Sequence, residues 1–440
     1  MSIAKDSGYL LVSQAGVVAA SLLSGVLTAR LLGPEGKGQL YTLLQAVAFI
    51  GLVLSAGLGA SYQYHIASKS YQKQAVVVHM LMQLLGTAIL LLFLYGAGLT
   101  DLLGLHGSAV ALRFTLLLTF INTAISFFSG ILLSMSGGIR KNSLLGLLSS
   151  SANVVFLLLL LLIFRLDYMG AVYAYALAQL LKLLPMAVTV LRRTPLQPVP
   201  WFSMSQKLVG YGISAFIGNL MVSAVFRLDT FIIGYLQGMQ QVGLYSVAVS
   251  FAEMALMVPG ALGVSLFTHL PASGPEEQML ILARFSRGIL LIALLVAIII
   301  FAGGYPLVVL LMGRSYAPSV LPLLLLLPGV VTMSVNYVYS NYFSATGRPA
   351  VTAICFSAGV AANIGLNFLL VPSYGINGAA IASSISYSVI TLLFILQLQH
   401  RQGLTVAGLL LIRREDLVPV KNRLAVMLSG FTSRIRRTGA

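Results

Sequence analysis

The chain has 440 residues, of which 58% are hydrophobic and 8% charged. A soluble domain carries about three times that charged fraction, so a water-soluble globular fold is excluded and a bilayer is implied. The 26 Lys and Arg against 10 Asp and Glu leave a net charge of +16, whose distribution along the chain decides its meaning.

The apolar material comes in runs of about 20–25 residues, the length an α-helix needs to cross roughly 30 Å of hydrocarbon. Twelve spans are expected, at about 9–32, 39–66, 75–99, 110–136, 143–164, 170–191, 206–228, 242–268, 286–311, 317–345, 350–371 and 376–398. The first is read as a span and not as a signal peptide. Its run is too long for an h-region and is interrupted by Ser13, Gln14, Ser21, Ser24 and Thr28. With an inside N-terminus, Lys5, Lys69, Lys73, Arg140, Lys141, Arg192, Arg193, Lys207, Arg284, Arg287, Arg348 and the basic tail share the inner face. Only Arg30, Lys37, Arg113, Arg165, Arg227 and Arg314 remain outside. This is the positive-inside pattern; it places both termini in the cytoplasm and leaves nucleic acid little to explain.

An internal repeat organises the spans. "LYTLLQAVAFIGLVLSAGLGASYQYHI" begins at Leu40, and 204 positions later "LYSVAVSFAEMALMVPGALGVSLFTHL" begins at Leu244. The two share Leu-Tyr at entry and Leu-Gly-x-Ser-x-x-x-His at exit, so that His65 matches His269. A second pair matches Asn153 with Asn363 and Gly170-Ala171 with Gly378-Ala379. The repeated stretches are spans 2 and 8, so the chain reads as two six-helix units of the same orientation, a plan that places substrate between halves. The expected lobes are residues 1–192 and 208–399, joined by a cytoplasmic linker at 193–207. Three prolines stiffen that linker and Trp201 is expected to anchor it at the headgroups. Residues 400–440 form a basic cytoplasmic tail, either interfacial on anionic lipid or disordered.

Three motifs carry a family resemblance: "ARLLGPEGKGQLY" closing span 1, "RLDTFIIGYLQGMQQVGLYSVA" across spans 7 and 8, and "ATGRP…NIGLNFLLVPSYGINGAAIA" across spans 10 to 12. Together they resemble the polysaccharide transporter (Wzx-type, O-antigen flippase) branch of the multidrug/oligosaccharidyl-lipid/polysaccharide flippase superfamily. The resemblance covers about residues 1 to 400. It implies an all-α polytopic membrane protein of two pseudo-symmetric six-helix lobes, V-shaped and MATE-like. It also implies a bacterial inner-membrane flippase moving undecaprenyl-diphosphate-linked oligosaccharide to the outer leaflet by alternating access. Related lipid II flippases have fourteen spans, which weakens a peptidoglycan-precursor reading. Spans 1 to 6 lack a mid-membrane Asp or Glu of the kind multidrug exporters use. An exporter of amphipathic small molecules and a non-transporting scaffold for polysaccharide synthesis remain alternatives.

No catalytic constellation, P-loop or metal-ligand cluster is visible, and Cys355 is the sole cysteine, so neither enzyme activity nor a cofactor is expected. Candidate cavity walls come from helical spacing: Gln14, Ser21, Ser24 and Thr28 on span 1, and Asn219, Ser223 and Arg227 on span 7, with helix packing as the other reading. A charge at mid-bilayer costs about 2.5–3.5 kcal/mol on insertion scales, which makes Lys182 and Glu253 informative. Arg30, Arg227 and Lys182 are candidate counter-charges for a lipid diphosphate, or, for the two arginines, interface anchors. Asp229 is expected to pair with Arg30 or cap an outer loop. Glu253 either carries a proton or is a protonated hydrogen-bonding side chain. His65 and His269 are candidate gate residues or plain interfacial histidines. Pro259 is expected to kink span 8, with Gly57 and Gly59 as a softer equivalent in span 2. The expected partners are the lipid-linked oligosaccharide, membrane lipids and a polysaccharide polymerase with glycosyltransferases; a single chain is the expected transport unit.

Overall fold

A computed structural model describes residues 3–96, 109–194, 201–269, 275–402, 408–409 and 411. Side chains at 3–12, 109, 201–203, 214–215, 257–269, 275–276 and 401–402 lie outside the description. The described residues form eleven α-helices: α1 (Ile3–Ser55), α2 (Leu58–Ala67), α3 (Lys73–Gly96), α4 (Ala109–Leu133), α5 (Gly138–Leu157), α6 (Tyr168–Arg192), α7 (Trp201–Gln237), α8 (Met239–His269), α9 (Pro275–Met312), α10 (Val320–Ala345) and α11 (Pro349–Gln402). A π-helical stretch, Leu158–Ile163, continues α5, and a 3-10 stretch, Arg314–Ser319, precedes α10.

Nine helical segments among the described residues are long and apolar enough to cross a membrane. Two of them each contain one backbone break, at Gly33 (φ 67°) in α1 and at Gly375 (φ 56°) in α11. Dividing these, and adding the 31-residue α8, gives the twelve spans. A left-handed φ is open to glycine without steric cost, so one residue suffices where the sequence suggested a loop. Pro34 follows Gly33 at the first helical position, where its missing N–H costs nothing. Span 2 is broken more sharply than expected: Ala56 (φ 43°) and Gly57 (φ 71°) separate α1 from α2. Linker residues 195–200 and most of the tail lie outside the described residues, as does the Trp201 side chain.

The chain divides into two compact units. One comprises Met1–Val247, Leu307–Ser319 and Val371–Ile376; the other comprises Ala248–Pro306, Val320–Leu370 and Asn377–Ala440. In the first, Tyr62, Val76, Met80, Phe127, Ile131, Met186 and Leu208 form one core cluster, and Leu43, Val47, Leu118, Leu157 and Val172 form a second. Bare backbone lets these helices approach: a Cβ on Gly130 would lie 2.0 Å from Gly59 O, and one on Gly38 would lie 1.8 Å from Met239 O. The repeated Leu-Tyr entry is core packing, since Leu40, Leu244 and Tyr245 are all buried.

In the second unit, Tyr339, Tyr342, Phe343, Phe356 and Phe394 are buried, with Phe343 and Phe394 stacked at 5.8 Å. Polar rungs join α10 to the second half of α11: Ser384 Oγ donates to Leu325 O (2.6 Å) and Asn336 Nδ2 to Tyr387 O (3.1 Å). Asn363, matched to Asn153 by the repeat, donates to Ser383 Oγ within α11.

Gly130→Ala forces a methyl into the Gly59 carbonyl and is expected to cost about 1–3 kcal/mol, read as a lowered unfolding temperature in detergent. Gly86→Ala, with nothing within 4 Å, is the control and should not lower it.

Candidate functional site

All but three of the sequence-predicted candidates lie in the first unit, in three groups. The first surrounds the α1 break. Thr28 is buried, and its hydroxyl donates back to Ser24 O and Gly25 O. Lys37, just past the break, is also buried; its Nζ reaches back to Gly25 O (3.0 Å) and Thr28 Oγ1 (3.3 Å). Arg30 donates through Nε to Leu311 O (2.8 Å) and through Nη2 to Leu310 O, at the end of α9. Tyr316, fully buried in the 3-10 stretch, donates to Ala29 O (3.1 Å). The expected Arg30–Asp229 pair is therefore not formed. Asp229 is buried instead, accepting from Tyr245 Oη (2.6 Å) and from Thr230 N (2.7 Å). A buried carboxylate needs donors close at hand, and the neighbouring α8 supplies one.

The second group runs along one face of α6. Tyr175, Gln179 and Lys182 follow at i, i+4 and i+7. Gln179 Nε2 donates to Tyr175 Oη and to Asn122 Oδ1 of α4, both at 2.9 Å, and its Oε1 accepts from Ser149 Oγ of α5 (3.3 Å). Asn153 Nδ2 donates to Ser24 Oγ (3.1 Å), so Ser24 joins helices and does not stand free. Arg227 of α7 lies within electrostatic reach of Tyr175, and its Nε donates to Ser223 Oγ (3.2 Å) one turn back. Lys182 is half-buried and has no hydrogen-bond or ion-pair partner among the described residues. Gln14, Ser21 and Asn219 are exposed.

At the other end of α2, His65 is buried with Nδ1 2.9 Å from Ser61 O, the bond that a protonated Nδ1 donates. Ser61 Oγ donates to Leu208 O of α7 (2.8 Å), which gives the Ser-x-x-x-His exit of the repeat a physical role. Tyr64 and Tyr211 stack at 4.3 Å, and the His65 ring meets Tyr211 edge-on and lies 5.6 Å from Tyr71. A Cβ on Gly57 would lie 2.3 Å from Gly212 O, so the α2 break is where α7 crosses. Beside it, His79 bridges Tyr62 Oη (3.1 Å) and Ser205 Oγ (2.9 Å).

The three remaining candidates are Glu253, Pro259 and His269 of α8. Glu253 belongs to the second unit, exposed and within electrostatic reach of Tyr337. The Pro259 and His269 side chains lie outside the described residues.

A family model described as polysaccharide biosynthesis protein matches residues 3–267. The chain belongs to the polysaccharide biosynthesis protein family. Over 200 residues this family member is 24% identical to a probable low-salt glycan biosynthesis flippase, Agl15, of Haloferax volcanii. That match covers 44% of the chain and only 42% of the relative's length. Among solved structures, the inward-facing conformation of a multidrug resistance MATE family transporter of the MOP superfamily superposes with a TM-score of 0.74 at 18% identity, covering 88% of this chain and 94% of that one. The lipid II flippase MurJ in an inward closed conformation gives 0.71 at 12% identity, covering 89% and 87%. At such identities these likenesses establish the shared fold. With nine helical segments among its described residues long and apolar enough to cross a membrane, this polysaccharide biosynthesis family member is a multi-pass membrane protein.

Sequence reasoning missed Lys37, Asn122, Tyr175, Gln179 and His79. The i, i+4, i+7 spacing on α6 was the available signal for two of them; burial of Lys37 and His79 has no local sequence signature. Gln179→Leu, which breaks two interhelical bonds and one along α6, should destabilise the protein by about 1–2 kcal/mol in thermal unfolding. Lys182→Gln, which breaks none, should shift stability by less than about 0.5 kcal/mol.

Proposed function

We propose that this chain flips an undecaprenyl-diphosphate-linked oligosaccharide from the cytoplasmic to the outer leaflet of a bacterial inner membrane, by alternating access and as a single chain. The observation that carries this reading is that Arg227 bonds a neutral hydroxyl and Lys182 has no partner at all among the described residues. Neither has a carboxylate partner among the described residues, although both lie within spans. Cations at that depth persist at cavities or where a counter-charge arrives, and a diphosphate supplies one. Arg227 offers its fork for bidentate bonds to phosphate oxygens, and Lys182 a point charge further along the path. The amides and hydroxyls of Asn122, Gln179 and Ser149 keep this seam polar enough to accept sugar hydroxyls. Family membership and the flippase names of Agl15 and MurJ support the same reading. The positive-inside charge pattern assigns the His65 end of α2 to the cytoplasm and the Gly33 end of α1 to the outer face.

Transport needs no bond-making by the protein, so the chain acts as a transporter and not as an enzyme. A polymerase and glycosyltransferases are the partners that supply and consume such a substrate. The second reading, export of amphipathic small molecules, is favoured by the superposition on a multidrug MATE transporter. It is disfavoured among the described residues of the first unit, where Glu35 and Asp167 are exposed and Asp229 is engaged with Tyr245.

Purified protein in liposomes with labelled undecaprenyl-diphosphate sugar should accelerate flipping. Failure with every lipid-linked sugar, together with extrusion of a cationic dye, would establish the export reading instead. Arg227→Gln and Lys182→Gln should each lower flipping by about tenfold or more, since a hydrogen bond to a charged group contributes roughly 1.5–3 kcal/mol. Coupling to an ion gradient is assigned to Glu253. Glu253→Gln keeps shape and hydrogen bonding but cannot titrate, and should flatten the dependence of flipping on pH and sodium. Unchanged dependence would leave downhill movement drawn by polymerisation.

A further inference from the structure

Arg30 is the candidate whose observed position departs most from the expected one. Its guanidinium does not face the polar seam; it holds the main-chain oxygens of Leu310 and Leu311. These lie in the last turn of α9, whose final carbonyls have no intrahelical donor and carry the negative end of the helix dipole. Gly313 (φ 104°) ends that helix, and Tyr316, three residues on, donates to Ala29 O in the opposite direction. Two successive residues of α1 thus exchange bonds with one corner of the chain. Lys37 holds the segment that presents Arg30, by bonding Gly25 and Thr28 across the Gly33 break.

The repeat shows what is special about this arrangement. One residue out of the 204-position register, Gly238 (φ 84°) stands for Gly33 in the second half, and Gly243 for Gly38. Gln237, one residue before that break, donates Nε2 to Val371 O (3.1 Å), just ahead of Pro372 and the Gly375 break in α11. Each half therefore grips a helix end with a polar side chain ahead of its glycine break. The corners so gripped, Leu307–Ser319 and Val371–Ile376, are the two segments that cluster with residues 1–247. One grip is neutral and the other is charged.

We propose that Arg30 is the positioning residue of an exit clasp, whose guanidinium exchanges the α9 carbonyls for the diphosphate of the departing substrate. This rests on the flippase reading for the identity of the anion. A diphosphate offers the guanidinium a full counter-charge where the carbonyls offer only partial charge, and the guanidinium fork fits phosphate in bidentate fashion. Diphosphate binds only the released arginine, so it shifts the equilibrium toward the open clasp by that differential affinity. The Gln237 grip has no charge to offer and stays closed, so α9 is released and α11 is held.

The test uses full-length protein in nanodiscs, with Cys355→Ala and spin labels at Leu31→Cys and Leu310→Cys, both exposed side chains. Distances are measured with and without inorganic pyrophosphate, using sulfate at equal ionic strength as control. The close population should dominate in the parent and fall by at least about half with pyrophosphate but not with sulfate. R30Q should lose most of the close population unaided and ignore pyrophosphate; R30K should fall between. A parent-like distribution in both R30Q and R30K, or a pyrophosphate response that survives in R30Q, overturns the clasp. No flipping step enters this measurement. A protein that shows the exchange but flips no lipid-linked sugar refutes the proposed function alone, and one that flips with an invariant distance refutes the clasp alone.

Discussion

Where a spanning helix breaks or ends, its last carbonyls have no intrahelical donor, and at the edge of the hydrocarbon, where water is scarce, they are best met by a donor inside the protein. Much of the architecture at the Gly33 end follows from that constraint. Gly33 interrupts α1, and the ammonium of Lys37 returns to Gly25 O. α9 stops at Gly313, and the arginine of α1 covers two of its last carbonyls. α11 breaks at Gly375, and Gln237 covers Val371 O. The donors come from distant parts of the chain, so satisfying the backbone also fixes which helix ends stand together. A transporter that changes conformation must exchange these donors, because releasing them unpaired would cost several kcal/mol each.

The interior of the first unit shows how a membrane protein keeps a polar route without losing its fold. Amide and hydroxyl groups on α4, α5 and α6 satisfy one another through Gln179, and α1 joins through Ser24 and Asn153. Neutral partners of this kind hold helices together at modest individual gain, roughly 0.6 kcal/mol in membrane proteins. Against that background Lys182 and Arg227 stand out because their charges are not neutralised from within. The unit is thereby electropositive where the substrate of the proposed transport is negative.

Close helix approach supplies the remaining rigidity. Gly59 and Gly130, Gly57 and Gly212, and Gly38 with Gly243 let backbones meet where any side chain would separate them. Pro34 O lies against Gly243 just as Met239 O lies against Gly38, a reciprocal contact between equivalent stretches of the two repeats. Helices that cross on bare backbone lack side-chain interlocking at that point, which suits them to pivot.

Span number, the six-helix repeat and membership of a polysaccharide biosynthesis family were legible in the chain itself. Span length is fixed by bilayer thickness, and a repeat is visible as an offset. The grouping of Tyr175, Gln179 and Lys182 on one face was equally available, since helical periodicity is local. What the sequence could not determine is where a long side chain finds its partner. Arg30 was placed at the end of span 1 with a diphosphate or Asp229 as its natural counterpart; its donors go to carbonyls 280 and 281 residues away. Asp229 was placed beside the same end, and it is Tyr245 of the next helix that takes it. Lys37 looked like an outer-face charge and is buried against its own helix across a break. Composition and periodicity determine which residues enter the membrane and which face they share. The pairing of helix ends that meets the backbone's demand for donors is a property of the folded chain, because it depends on which ends are brought within a side chain's reach.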